Sequence, residues 1–139
     1  MSDAPRPMPV VTVENQPFFA AAKDGRLLIQ KCGKCGRSMF YPRVACPYCF
    51  AVSGLEWIQA TGRGEVVSFC FVHRPQHPVF LPDVPIPLVA VRLQEGPVLL
   101  SVVRSSDRAQ VKLGLPVSVE FDQIADEIFL PVWRPSSEV

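Results

Sequence analysis

The sequence predicts a mainly β protein: a short N-terminal helix, a four-cysteine metal ribbon and a five-stranded OB-type barrel. Three observations carry this. Cys32, Cys35, Cys46 and Cys49 form two Cys-x-x-Cys pairs ten residues apart, the spacing with which two hairpin knuckles aim four thiolates at one ion. After Gly64 the chain holds five strand-length apolar runs separated by turn residues, the count an OB barrel uses to remove most of its sheet edges. Ahead of the cysteines, Pro17 opens and Gly25 closes one short stretch with helical spacing. The expected divisions are 1–25 for a tail and the helix, 26–60 for the ribbon and 61–139 for the barrel.

Met1 to Glu14 is proline-rich, with a Val10, Val11, Val13 patch too short for an element, and reads as a tail that docks on something. Phe18, Phe19 and Ala22 give the helix one apolar face. Arg26 to Gln30 leads as a strand into the first knuckle, and Leu55 to Ala60 leads out of the second around Trp57, which is expected to be buried. Thr61-Gly62-Arg63-Gly64 reads as a turn. Glu65 to Arg74 follows with Val67, Phe69 and Phe71 on one face and Val66, Cys70 and Val72 on the other, so both faces are apolar and the strand should be central. Its Cys70 lies in the most apolar strand of the barrel and reads as an inert core thiol.

Pro75, Pro78, Pro82, Pro85 and Pro87 exclude a central strand over that stretch and describe a long stiffened loop. Its Phe80, Leu81, Val84 and Ile86 suit either a cover for the barrel end or a surface for a partner. Leu88–Gln94 and Pro97–Val103 form a hairpin about Glu95-Gly96. Ser105 to Gly114 can cap and hold one helical turn before the last two strands, Val117–Asp122 and Ile128–Trp133. A small SH3-like barrel is the alternative to the OB type.

The cysteine pattern suits zinc in a structural site. Gly33 and Gly36 lie within and just past the first knuckle, where the backbone must turn toward sulfur, and Pro47 stiffens the second. Iron held in the rubredoxin manner and a disulfide framework are the alternatives, because spacing and ligand softness do not separate zinc from iron. Four sulfur ligands leave no open position for water or substrate, so the metal is expected to fold the ribbon and not to react.

At 139 residues with a formal net charge of +1, the chain suits a small metal module joined to a compact partner domain and gives no global case for nucleic acid. Charge is unevenly placed. Lys23 to Arg74 holds eight basic and three acidic residues, net +5, and Pro75 onward holds five basic and eight acidic, net −3. The metal half would therefore attract a phosphorylated ligand or an acidic surface, the plain alternative being a solvated ribbon surface. No apolar run reaches membrane-span length, and the first residues carry Asp3, Arg6 and prolines where a signal peptide needs an apolar core. A cytoplasmic protein without a membrane partner is the expectation.

The order of short strings resembles a known family. Pro17-Phe18-Phe19, Gly25-Arg26-Leu27-Leu28, the two knuckles, Gly62-Arg63-Gly64, Val72-His73-Arg74, Glu95-Gly96-Pro97, Gly114-Leu115-Pro116-Val117, Leu130-Pro131 and Trp133-Arg134-Pro135 follow one another as in acyl-CoA-associated proteins with a rubredoxin-like zinc ribbon and an OB fold, first catalogued as a domain of unknown function. The resemblance covers most of the chain. It implies a small accessory or scaffold subunit beside a thiolase-fold enzyme, a lipid-transfer-type aldolase of that fold or a hotdog-fold hydratase, docking on it and helping to hold a CoA thioester. The four zinc ligands carry over as Cys32, Cys35, Cys46 and Cys49; the family offers no catalytic residue to transfer.

Beyond the cysteines, Arg74 and His73 end the first barrel strand at the mouth of the proline-rich loop, where a cation can meet a pyrophosphate or a partner carboxylate. Local pairing at a strand end is the alternative for both. With Phe80 they are the candidate ligand or partner residues. Trp57 and Trp133 read as packing. No sequence element supplies a nucleophile with its base, so a catalytically silent subunit is expected. The competing function is single-strand nucleic-acid binding, which zinc ribbons and OB barrels both support elsewhere, but here the barrel is the acidic half.

Overall fold

The computed structural model describes residues 6–136; the first five residues of the expected tail and the last three of the expected barrel lie outside them. Helix α1 spans Gln16–Lys23, with Pro17 in its first turn and Phe18, Phe19, Ala21 and Ala22 buried. Asn15 sits at the cap position without capping; its side chain ties back to Thr12 and Val10 and folds the preceding segment onto itself. Gly25, at φ +74°, ends the helix in the left-handed conformation that costs glycine nothing sterically.

Two sheets follow. In the first, β1 (Leu28–Cys32) lies between β2 (Ser38–Met39) and β3 (Leu55–Gln59), both antiparallel to it. The second has β4 (Arg63–Val72), β5 (Ile86–Leu93), β6 (Val98–Val102), β7 (Pro116–Ala125) and β8 (Ile128–Pro135) in the order β6-β5-β4-β7-β8. A parallel bridge between Val103 and Trp133 draws the two outer strands toward each other, giving the five-stranded OB-type arrangement. The proline-rich loop winds into a 3-10 turn at Pro78–Asp83, and a second 3-10 turn at Ser105–Gln110 fills the place between β6 and β7 where one helical turn was expected.

One core joins these parts. Phe18 and Phe19 from the helix, Leu27 and Ile29 from the entry to the ribbon, and Val66, Val89, Val91, Leu99, Val117 and Trp133 from the barrel form a single buried cluster. Phe40, Trp57 and Ile58 pack against it half-buried, so Trp57 lies at the core's margin rather than inside it. A second, small cluster of Cys32, Met39 and Cys46, backed by Ala51 and Leu55, surrounds the cysteine site.

Four expectations on β4 and its loop are corrected. Cys70 is exposed, because β4 pairs with β7 only from Arg63 to Glu65 and its far half projects past the barrel wall. Phe69 is exposed for the same reason. Pro87 belongs to β5, opposite Phe71; placed second in the strand it forfeits little of the ladder, which is where a strand tolerates proline. Gly64 is also more than a turn residue. It lies inside β4, where a Cβ would stand 2.4 Å from the Arg92 carbonyl oxygen and 2.7 Å from Val91 Cγ1, so the β4 and β5 backbones can approach this closely only at glycine.

Candidate metal centre

The two knuckles repeat one local design. In the first, the Cys35 N–H points at Cys32 Sγ (3.5 Å), the Gly36 N–H donates to the Cys32 carbonyl (2.8 Å) and the Cys32 N–H donates to Arg37 (2.9 Å). In the second, the Cys49 and Tyr48 N–H groups point at Cys46 Sγ (3.5 and 3.4 Å), the Phe50 N–H donates to the Cys46 carbonyl (2.9 Å) and the Cys46 N–H donates to Ala51 (2.9 Å). Such N–H donors neutralise part of a thiolate's charge and fix its direction. The residue after each second cysteine is left-handed: Gly36 at φ +77° and Phe50 at φ +63°. Gln30, a buried amide in β1, accepts from the Arg43 N–H (2.7 Å) and donates to the Arg43 carbonyl (3.0 Å), so β1 holds both the first knuckle and the loop leading into the second.

Together the knuckles set the four sulfurs within 4.8 Å of one another, with Cys32 to Cys49 at 3.7 Å and Cys35 to Cys46 at 3.6 Å. Zinc–sulfur bonds of about 2.3 Å in a tetrahedron require sulfur edges of about 3.8 Å, which these two edges match. Cys32 and Cys46 face inward and Cys35 and Cys49 face solvent. The sulfurs do not titrate alike. The Cys35 N–H leads in lowering the Cys32 thiol. Burial works against the Cys46 thiolate, but the Cys49 and Tyr48 N–H groups outweigh it and lower that thiol to about 6. At Cys49 the Ala51 N–H favours the thiolate, yet burial and the neighbouring sulfurs together push it up to about 11. Bringing four thiolates together thus needs a cation to offset their mutual repulsion.

His73 and Arg74 are exposed just beyond β4 and make no hydrogen bond or ion pair with any described residue. Phe80 is half-buried in the 3-10 turn, with the Arg6 guanidinium 5.1 Å above its ring and His77 6.2 Å away. No described hydrogen bond, ion pair or ring contact joins these three residues to one another or to the cysteines. Sequence reasoning missed two features. The second knuckle carries Val44, Tyr48, Phe50 and Val52 exposed, with the Arg37 guanidinium 4.7 Å over the Tyr48 ring. Comparing Cys35-Gly36 with Cys49-Phe50 was the available signal. The other is a cleft of about 430 Å³ where Phe18 and Phe19 of the helix, Phe40 and Tyr41 of the ribbon, and Leu100 and Leu130 of the barrel meet; its walls come from three separate parts of the chain, which no local pattern reveals.

The fold and its four-sulfur site define a zinc-ribbon protein with an OB-fold barrel. Residues 19–53 match the ChsH2 rubredoxin-like zinc ribbon domain, and residues 57–122 match the ChsH2 C-terminal OB-fold domain. The chain belongs to the DUF35 family, being 33% identical over 99 residues to a DUF35 domain-containing scaffold protein of Pyrococcus furiosus, covering 66% of this chain and 71% of that one. It is also 33% identical over 133 residues to a probable enoyl-CoA hydratase alpha subunit of Thermomonospora curvata, covering 94% of this chain but spanning only 40% of that relative's length. Among solved structures it is similar to the Ltp2-ChsH2(DUF35) aldolase, with 32% identity, a TM-score of 0.78, and coverage of 92% of this chain and 98% of that one.

Proposed function

We propose that the chain is a catalytically silent accessory subunit that holds zinc through Cys32, Cys35, Cys46 and Cys49, binds an acyl-CoA thioester and docks on a thiolase-fold or hotdog-fold enzyme. The observation that carries this is the closed four-sulfur set: an ion held there has no position left for water or substrate. No described histidine is hydrogen-bonded to a Ser, Thr or Cys side chain, so the usual pairing of nucleophile and base is missing from the described residues. Chemistry then has to come from a partner, and the names borne by the relatives, a scaffold protein, a hydratase subunit and an aldolase assembly, support that kind of partner. The aromatic cleft has the volume and lining of a site for an apolar ligand, and exposed Arg74 offers a cation to a phosphate or a carboxylate.

The test is to co-express the chain with a thiolase-fold and, separately, a hotdog-fold enzyme and ask which co-purifies. Turnover of acyl-CoA thioesters is then compared for the isolated chain, the isolated enzyme and the complex. Turnover by the chain alone would overturn the proposal. Arg74→Glu and Phe80→Ser that leave complex formation and CoA-thioester affinity unchanged would place the contacts elsewhere.

A further inference from the structure

β4 leaves one edge open. Its ladder with β5 runs to Val72, whereas its ladder with β7 stops at Glu65 and the Val66 backbone is taken by Leu115 and Gly114. From Val67 to Val72 no described residue bonds that second edge, so alternate N–H and C=O groups face outward unpaired. Natural edges are guarded by lysine, proline or inward-pointing charge. Val67-Ser68-Phe69-Cys70-Phe71-Val72 contains none of these, the irregularity in its ladder with β5 lies at its start, between Val66 and Ser68, and Phe69 and Cys70 are exposed on its two faces. Water hydrates such groups singly, but as a row they match the backbone of another extended strand.

We propose that this strand is the same segment of a second copy, β4 pairing antiparallel with β4 across a molecular two-fold axis. Two identical antiparallel strands are related by an axis perpendicular to their sheet, which keeps each side chain on its own face; residues that face each other share a face, so one residue must face itself. The free extended segment Val67–Val72 has its midpoint between Phe69 and Cys70, and the span between Val66, already bonded, and Pro75, without an N–H, has its midpoint between Cys70 and Phe71, so Cys70 is the centre compatible with both. Phe69 then stands opposite Phe71 of the second copy, twice over, Ser68 opposite Val72, and Cys70 opposite its own counterpart. Aromatic cross-strand pairs are among the favourable ones, and no charge within the segment repels a copy of itself. This inference does not rest on the accessory reading, since it concerns a face remote in sequence from the cysteines and needs only the chain itself.

The experiment uses the zinc-loaded full chain in analytical ultracentrifugation across a concentration series, with mild oxidation followed by non-reducing electrophoresis. A concentration-dependent dimer is expected, with a cross-linked species at twice the 15.4 kDa chain mass. Opposed cross-strand residues have Cα atoms about 4.5–5.5 Å apart, within disulfide reach. Cys70→Ser should keep the dimer and abolish the cross-link, which separates Cys70 from the four metal cysteines. Cys70→Lys, at an exposed position, should keep the fold by circular dichroism and weaken self-association by about tenfold or more through the two facing charges. A chain that stays monomeric throughout overturns the proposal, as does a dimer indifferent to Cys70→Lys. So does an edge whose Val67–Val72 amides exchange freely in the chain alone and become protected only when a thiolase-fold enzyme is added.

Discussion

Replacing Gly64 by alanine tests how tightly the barrel's first two strands are drawn together. The added methyl carbon would sit 2.4 Å from the Arg92 carbonyl oxygen, 2.7 Å from Val91 Cγ1 and 3.0 Å from the Arg92 carbonyl carbon, against the 3.4 Å or so at which ordinary contact begins. Two of the three atoms are backbone of the paired strand, and Gly64 is itself in register with Leu93, so relief requires separating β4 from β5 by nearly an ångström. Val91 and Leu93 are fully buried on that strand, and the shift would open the core beneath them. Overpacking of this kind costs about 1–3 kcal/mol, and a backbone clash belongs at the upper end. Alanine's lower unfolded-state entropy offsets about 0.4–1 kcal/mol, leaving a net loss of about 2 kcal/mol. At roughly 3 °C per kcal/mol for a chain of this size, Tm should fall by about 6 °C. The control is Gly25→Ala, where φ is +74° but no atom lies within 4 Å of the new carbon, so only the conformational penalty of about 1 kcal/mol applies. Urea titration of both zinc-loaded variants measures the difference. If Gly64→Ala loses no more than Gly25→Ala, the close approach of β4 and β5 does not constrain position 64 and the reasoning fails.

The purified chain should contain one zinc ion, and Cys32→Ser or Cys49→Ser should lose it; elemental analysis decides, and a reddish iron-containing protein would contradict the assignment to zinc. Because each ligand must be a thiolate, affinity should fall as pH falls, with protons displacing the ion; a chromogenic chelator should draw zinc off faster at pH 5 than at pH 8, and an opposite trend would exclude thiolate ligation. Phe50→Gly should leave stability within about 1 kcal/mol by thermal denaturation, since relief of the left-handed conformation at φ +63° is offset by glycine's extra unfolded-state entropy; a loss well beyond that would mean the exposed ring packs on something essential. Single-stranded oligonucleotides should show no salt-sensitive binding in fluorescence anisotropy at physiological salt, given the net charge of −3 from Pro75 onward.

Features encoded locally were legible in the sequence. Two Cys-x-x-Cys pairs bring their sulfurs together because each knuckle is closed by its own backbone hydrogen bonds. Pro17 and Gly25 bound α1, and Glu95-Gly96 joins β5 to β6, because turn chemistry acts over a few residues. What escaped depends on distant partners. Alternation marks the length from Val67 to Val72 as a strand, but which edge of β4 β7 covers, and for how many residues, follows from where the chain returns fifty residues later. Cys70 therefore read as core and is exposed. β2 is only two residues long and exists because β1 offers it a ladder, and the role of Gln30 follows from the loop that passes over it.

The separation of the chain's buried side chains into two clusters has a consequence for how the molecule comes apart. Cys32, Met39, Cys46 and their two half-buried neighbours are too few to keep the knuckles ordered by apolar burial, whereas the larger cluster runs from helix to barrel without using the cysteine tip. Chelation should therefore melt the tip as a local unit while the strands beyond Arg63 keep their slow hydrogen exchange. Heating the zinc-free chain would then give one transition, that of the barrel, and heating the loaded chain would release an ion along the way. A midpoint measured by an optical probe in the barrel and one measured by zinc release would describe different events, and neither alone would be the stability of the whole chain.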